Sequence, residues 1–181
     1  MSKRNMGGLV RPVWAAVFFA VVLLAGCGKK EPQYRREVKA YLEALADGSY
    51  QHQLKMKLFD SQAIPVLLDY ADDERAIPFP PVNPLSSYIV SSCSVGMFAL
   101  WTIEGIRLAQ EGSDEKESFM GYPSLVPLLW DQVRERRPEF GEDGYDENLK
   151  RAAAAYRNWW NSGSFSQIKF QDPLDGTGLY W

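Results

Sequence analysis

The feature that most restricts this chain is an apolar run too short to cross a bilayer. Lys3, Arg4 and Arg11 precede it with no acid among them, and from Pro12 to Leu24 about 13 residues carry no charge. A spanning helix needs roughly 20 such residues. Basic residues ahead of a short apolar run read as an export signal that the mature protein loses. The run closes in Leu24-Ala25-Gly26-Cys27. Two small residues, Ala25 and Gly26, thus end the apolar run just ahead of a cysteine. Residues 1–26 are therefore expected to add nothing to the folded core.

Leu24-Ala25-Gly26-Cys27 resembles the lipobox of bacterial lipoproteins at all four positions. The resemblance implies a diacylglyceryl thioether on Cys27, cleavage between Gly26 and Cys27, and a further acyl chain on the new amine. One chain anchors marginally at about 0.8 kcal/mol per buried methylene, and two or three hold firmly. Gly28-Lys29-Lys30-Glu31-Pro32-Gln33 follows as a polar linker. Fully extended, those residues reach about 20 Å. Residues 27–33 would thus hold the domain close to lipid. Gly28 is not the aspartate that marks inner-membrane retention in enterobacterial lipoproteins, so an outer-membrane location is expected if the cell is Gram-negative.

Removing the signal leaves 155 residues, enough for one domain, 34–181, with its own core. Three of the 20 basic side chains leave with the signal and none of the 23 acidic ones, for a net charge near −6. That balance argues against nucleic acid as a partner, which asks for a basic footprint. It argues equally against a polybasic grip on anionic lipid. With Cys27 lipidated, Cys93 is the only other cysteine, so no internal disulfide is available and the fold must rest on its core.

Periodicity within the domain is helical. Tyr34, Val38, Tyr41, Leu42 and Leu45 form one stripe, closed by Asp47-Gly48-Ser49. A partial helix is expected over 51–59. Asp60 reads as the N-cap of a helix carrying Ile64, Leu67, Leu68 and Ala71, with Pro65 in its first turn. Pro78, Pro80, Pro81 and Pro84 make residues 76–90 an extended apolar loop, since the residue before each proline is pushed out of the helical region. Ser91 to Gln110 is apolar almost all round and reads as the central helix, with Gly112 beyond its end. Ser124 is expected to cap a helix through Val133 that stops near Arg137-Pro138. Asp146 opens another, ended by Gly163. The stretch from Ser164 to Trp181 reads as a tail or one short strand pair, with Leu179-Tyr180-Trp181 docking back onto the domain.

Five helical segments with polar turns point to an all-α domain. Ile64-Pro65-Val66-Leu67-Leu68 and Val126-Pro127-Leu128-Leu129-Trp130 look like HEAT-type helices, although no uniform repeat period is present. Several motifs together resemble a family of Bacteroides-type lipoproteins with a HEAT-like helical domain. They are Phe79-Pro80, Asn83-Pro84-Leu85-Ser86-Ser87, Leu100-Trp101-Thr102-Ile103-Glu104-Gly105-Ile106-Arg107, Tyr122-Pro123-Ser124-Leu125 and Tyr156-Arg157-Asn158-Trp159-Trp160. The likeness covers about residues 34–181. It implies the HEAT-like fold and the lipid anchor, and it carries no activity.

No catalytic constellation stands out. His52 is the single histidine, and Cys93 sits in an apolar helix pattern where a cysteine is usually a small buried hydrophobe. A zinc site is not expected from one histidine and no cysteine pair. The serines at 86, 87, 91, 92 and 94 lack the context of a nucleophile. Glu104 and Arg107 share one helix face at i, i+3 and read as an ion pair or as a polar anchor in a groove. Trp159 and Trp160 read as core packing or as a stacking platform.

The expectation is therefore a lipid-anchored, non-catalytic helical domain without cofactor or metal, binding an envelope protein or peptide. Its candidate surface is Phe79, Asn83, Glu104, Arg107, Trp159 and Trp160. The alternative is a glycan or small-molecule binder using exposed aromatic residues.

Overall fold

The computed structural model describes residues 32–50, 59–82, 86, 90–109, 124 and 126–181. The partial helix expected over 51–59 falls mostly outside them, as do Gly26, Cys27, His52, Asn83 and Gly112.

Helix α1 spans Gln33–Ala46 and buries Val38, Tyr41, Leu42 and Leu45, four members of the stripe read from the sequence. It ends where Gly48 takes a left-handed backbone at φ 73°. A Cβ there would lie 3.7 Å from Pro78 Cγ, so α1 ends against the Pro78 ring. Asp60 caps a 3-10 turn, Ser61–Ala63, by accepting the Gln62 amide. The chain runs straight on into α2, Ile64–Asp69, with Pro65 in the first turn, where an amide would have no helical partner.

Strand β1, Ala76–Pro78, pairs antiparallel with β2, Ser92–Ser94, in the register Ala76↔Ser94, Ile77↔Cys93 and Pro78↔Ser92. Helix α3, Val95–Leu108, follows at once. Its N-cap is Ser94, whose Oγ accepts the Met97 amide at 3.1 Å. The residues from Val95 to Gly105 are all buried, which makes α3 the central helix. Its apolar length does not amount to a span, for among the described residues no helix is long and apolar enough to cross a membrane. Gly96 allows a close approach of α3 to the backbone after α2. A Cβ at that position would stand 2.6 Å from the Ala71 carbonyl oxygen.

Helix α4, Tyr145–Asn161, and the short α5, Phe165–Ile168, complete the helical part. Asp146 and Glu147 lie in the first turn of α4, where its unpaired amides favour negative charge. Consecutive helices pack on one another, α1 on α2, α2 on α3 and α3 on α4, and non-consecutive ones also meet, α1 on α3 and α2 on α4. A last pair of strands, β3 (Trp130–Asp131) and β4 (Leu179–Tyr180), runs antiparallel with Trp130↔Tyr180 and Asp131↔Leu179.

Two expectations need correction. The domain is mostly helical but not purely all-α, because it holds two short antiparallel ladders. The helix expected from Ser124 to Arg137 is absent across 126–137, which instead holds β3 and a turn. Pro127 disfavours a helical Val126. Asp131 then takes the Val133 and Arg134 amides onto its side chain at 2.9 and 3.1 Å. Such local capture competes directly with helical hydrogen bonding. Glu135, at φ 52°, completes the reversal. The docking of Leu179-Tyr180-Trp181 is as expected, since Leu179 is buried and Trp181 packs against the core.

Candidate functional site

Glu104 and Arg107 lie on the last turns of α3, and helical spacing brings them together as expected. Arg107 donates from Nε to Glu104 Oε2 at 2.8 Å and from Nη2 to Oε1. This fork is a charge-assisted pair with matched geometry. From α4, the Tyr156 hydroxyl donates to Glu104 Oε2 at 2.8 Å. The Trp181 indole N–H in turn donates to the Tyr156 hydroxyl oxygen at 2.8 Å. Arg107 Nη1 reaches the Lys169 carbonyl at 3.1 Å, beyond the end of α5. Burial holds the Tyr156 phenol well above its ordinary range, and the Glu104 charge raises it further. The bond to Glu104 raises Arg107. The network ties α3, α4 and the segments on either side of β4 into one unit, and Glu104 is 3% exposed within it.

The two tryptophans part company, as neighbours about 100° apart on a helix should. Trp159 is buried and donates its indole N–H to the Ile168 carbonyl at 2.9 Å. Trp160 is half-buried, its ring 6.0 Å from that of Trp159 and 6.3 Å from that of Phe165.

Phe79 is placed very differently. It is 62% exposed, and its backbone sits at φ 55°. A left-handed backbone costs a residue with a Cβ roughly 1–2 kcal/mol. The strain is held from both sides. The Phe79 amide donates to the Ser91 carbonyl at 3.1 Å, and Pro80 and Pro81 behind it are buried. The fold thus spends strain on presenting an aromatic ring to solvent.

Asp131 is a polar centre that the sequence reading missed. It is fully buried and bonded to Arg134 Nη1 at 2.7 Å, with Arg151 Nη2 at 3.6 Å. Burial works to raise the Asp131 carboxyl, but the bonds from Arg134 and the Val133 amide outweigh it and leave the group below its ordinary range. On α4, Asn148 accepts from Arg151 at 3.0 Å, and Arg151 Nε is buried with no partner among the described residues. A usable sequence signal was the abrupt change at Asp131 from apolar to polar residues, which favours a side-chain-capped turn over a helix interior.

Cys93 is buried on β2 opposite Ile77, and burial pushes its thiol far up. A thiol held protonated is a poor nucleophile. Its neighbour Ser94 donates its amide to the Tyr145 hydroxyl oxygen at 2.8 Å, fixing β2 to the start of α4. Among the described residues no group of three His, Cys, Asp or Glu side chains could hold a metal ion.

Comparison with curated proteins and with solved structures gave no match. A family profile does match, over residues 33–181 of the 181-residue chain. The chain belongs to the family defined by the domain of unknown function DUF4943.

Proposed function

We propose that this chain is a lipoprotein held at the cell envelope by acyl chains on Cys27, and that its helical domain is a non-catalytic module binding another protein or a peptide. The lipobox-like Leu24-Ala25-Gly26-Cys27 behind a basic, short apolar run supports the anchor. The motif resemblance to Bacteroides-type lipoproteins points the same way.

The observation that carries the binding role is Phe79, a strained residue whose ring gains little from the fold it strains. Strain of this kind clusters where a surface is used, and aromatic side chains, phenylalanine among them, are enriched at protein interfaces. Glu104, Arg107 and Trp159 are committed to the interior, so among the described residues the candidate surface contracts to Phe79, with Trp160 half-exposed elsewhere, while Asn83 lies outside them.

The test is crosslinking of the lipidated protein in its native membrane, followed by mass spectrometry, for the wild type and for Phe79→Gly. One envelope protein captured by the wild type and lost in the variant supports the reading. Equal capture by both, or capture by neither while other envelope complexes are recovered, counts against it. Cys27→Ser should fold normally and lose lipid labelling; labelling that survives the change overturns the anchor.

A further inference from the structure

Two of the exposed large apolar residues, Leu108 and Phe170, lie with half-buried Trp160 and Phe165 at one end of the domain. Phe170 is 82% exposed just past α5, with Lys169 Nζ over its ring at 5.2 Å from the centroid. Half-buried Trp160 and Phe165 stand at the α4–α5 junction with rings 6.3 Å apart. Leu108, exposed at the end of α3, is brought to the same end by the bond from Arg107 to the Lys169 carbonyl.

The chain enters the domain on this side. Arg35, three residues beyond Pro32, pairs with Asp69 at the end of α2 at 3.0 Å. The neighbouring Leu68 carbonyl accepts from Arg157 at 3.1 Å, one helical turn before the end of α4. The end of α2 therefore joins the first turn of α1 to the last turns of α4. With Cys27 lipidated as proposed above, the residues between it and the domain reach at most about 20 Å, which would hold this entry point near the lipid. A 14-residue helix is about 20 Å long, so the far end of α1, against Pro78 and beside Phe79, points away from the entry point.

We propose that the face formed by Leu108, Trp160, Phe165, Lys169 and Phe170 rests on the bilayer surface. Aromatic rings with a lysine among them suit the boundary between headgroups and acyl chains. Charge offers no competing explanation, because the mature chain is acidic overall. Seating this end on lipid turns Phe79 outward to meet its partner. The inference rests on the lipid anchor proposed above, and the two fail in distinguishable ways.

The test uses the full lipidated chain in vesicles of phosphatidylethanolamine and phosphatidylglycerol, with a nitroxide on Gln171→Cys or, as a control, on Asp143→Cys. Both positions are exposed, and Asp143 lies before the opposite end of α4, about 25 Å from Trp160. Buried Cys93 should not take the label. The expected result is a severalfold higher ratio of oxygen to nickel-chelate accessibility at 171 than at 143, lost when Phe170→Ser is added. Protein that floats with the vesicles but shows equal ratios at the two sites overturns the docking and leaves the anchor standing. Spin–spin broadening at 171 that grows with protein density assigns the face to a second copy and likewise overturns it. Failure to float, indistinguishable from Cys27→Ser, removes both proposals.

Discussion

The Tyr156 hydroxyl meets Glu104 Oε2 at 2.8 Å, joining two helices across 52 positions of sequence. The same oxygen accepts the Trp181 indole N–H, so the hydroxyl acts once as donor and once as acceptor. Tyr156→Phe strips both bonds, leaving Trp181 Nε1 without its acceptor. A buried polar group that loses its partner costs about 1–3 kcal/mol. Glu104→Leu should be worse, about 3–5 kcal/mol, because it leaves the Arg107 charge largely buried and without its carboxylate. Urea unfolding of the two variants checks the order, and Tyr156→Phe costing as much as Glu104→Leu would contradict it.

Phe79→Gly should act in the opposite direction. Relief of the left-handed strain is about 1–2 kcal/mol, offset by the greater freedom of glycine in the unfolded chain at about 0.5–1 kcal/mol. A net gain of roughly 0.5–1 kcal/mol is expected, read as a raised melting temperature. A binding surface that keeps a destabilising residue is a stability–function compromise. If Phe79→Gly melts lower than the wild type, the strain is not the dominant local term.

How far the sequence could be read depended on the range of the interactions that decide each element. The stripe from Tyr34 to Leu45 and the apolar run of α3 declare themselves through periods of three and four residues, and both helices are present. Phe79 was legible as a candidate through its proline-rich surroundings, though not its left-handed backbone. From Ser124 to Arg137 the apolar spacing imitates a helix, and a single side chain, Asp131, closes a turn in its place. The ladder between Pro78 and Ser92 was hidden because prolines rarely mark a strand and its partner lies across a loop. Glu104 and Arg107 were visible as a pair, being three residues apart. Tyr156 and Trp181 were not visible as their partners, since nothing local in either residue specifies the other.

Gly96 gives a steric prediction. A Cβ there would stand 2.6 Å from the Ala71 carbonyl oxygen and 3.0 Å from the Asp73 amide nitrogen, both backbone atoms. The Gly96 amide also donates to the Asp73 carbonyl at 2.9 Å, so the two segments have no freedom to separate. Alanine is the better helix former by about 1 kcal/mol, yet overpacking costs about 1–3 kcal/mol. Contact with the fixed backbone of residues 71–73 makes overpacking the larger effect, and Gly96→Ala should lower stability in chemical denaturation. A neutral or stabilising result would mean that the turn after α2 yields readily.

Asp131 ties folding to acid. Its folded carboxyl lies below its ordinary range because the Arg134 bond and the backbone amides outweigh its burial. A depressed carboxyl contributes stability that is present above its unfolded value, about 3.9, and is lost as pH falls through the folded value. Asp131→Asn removes that titration while keeping an oxygen for the Val133 and Arg134 amides. The variant should be less stable near neutral pH, because Arg134 and Arg151 lose their buried anion. The deficit should hold steady above about pH 5 and shrink below about pH 4 as the wild-type carboxylate takes up its proton. Glu43, Asp72 and Asp73 are also held low by arginines, so the wild type alone would show a broader acid loss. The difference between the two unfolding curves isolates Asp131. A difference independent of pH from 3 to 7 would show that the carboxylate is not what holds the β3 turn.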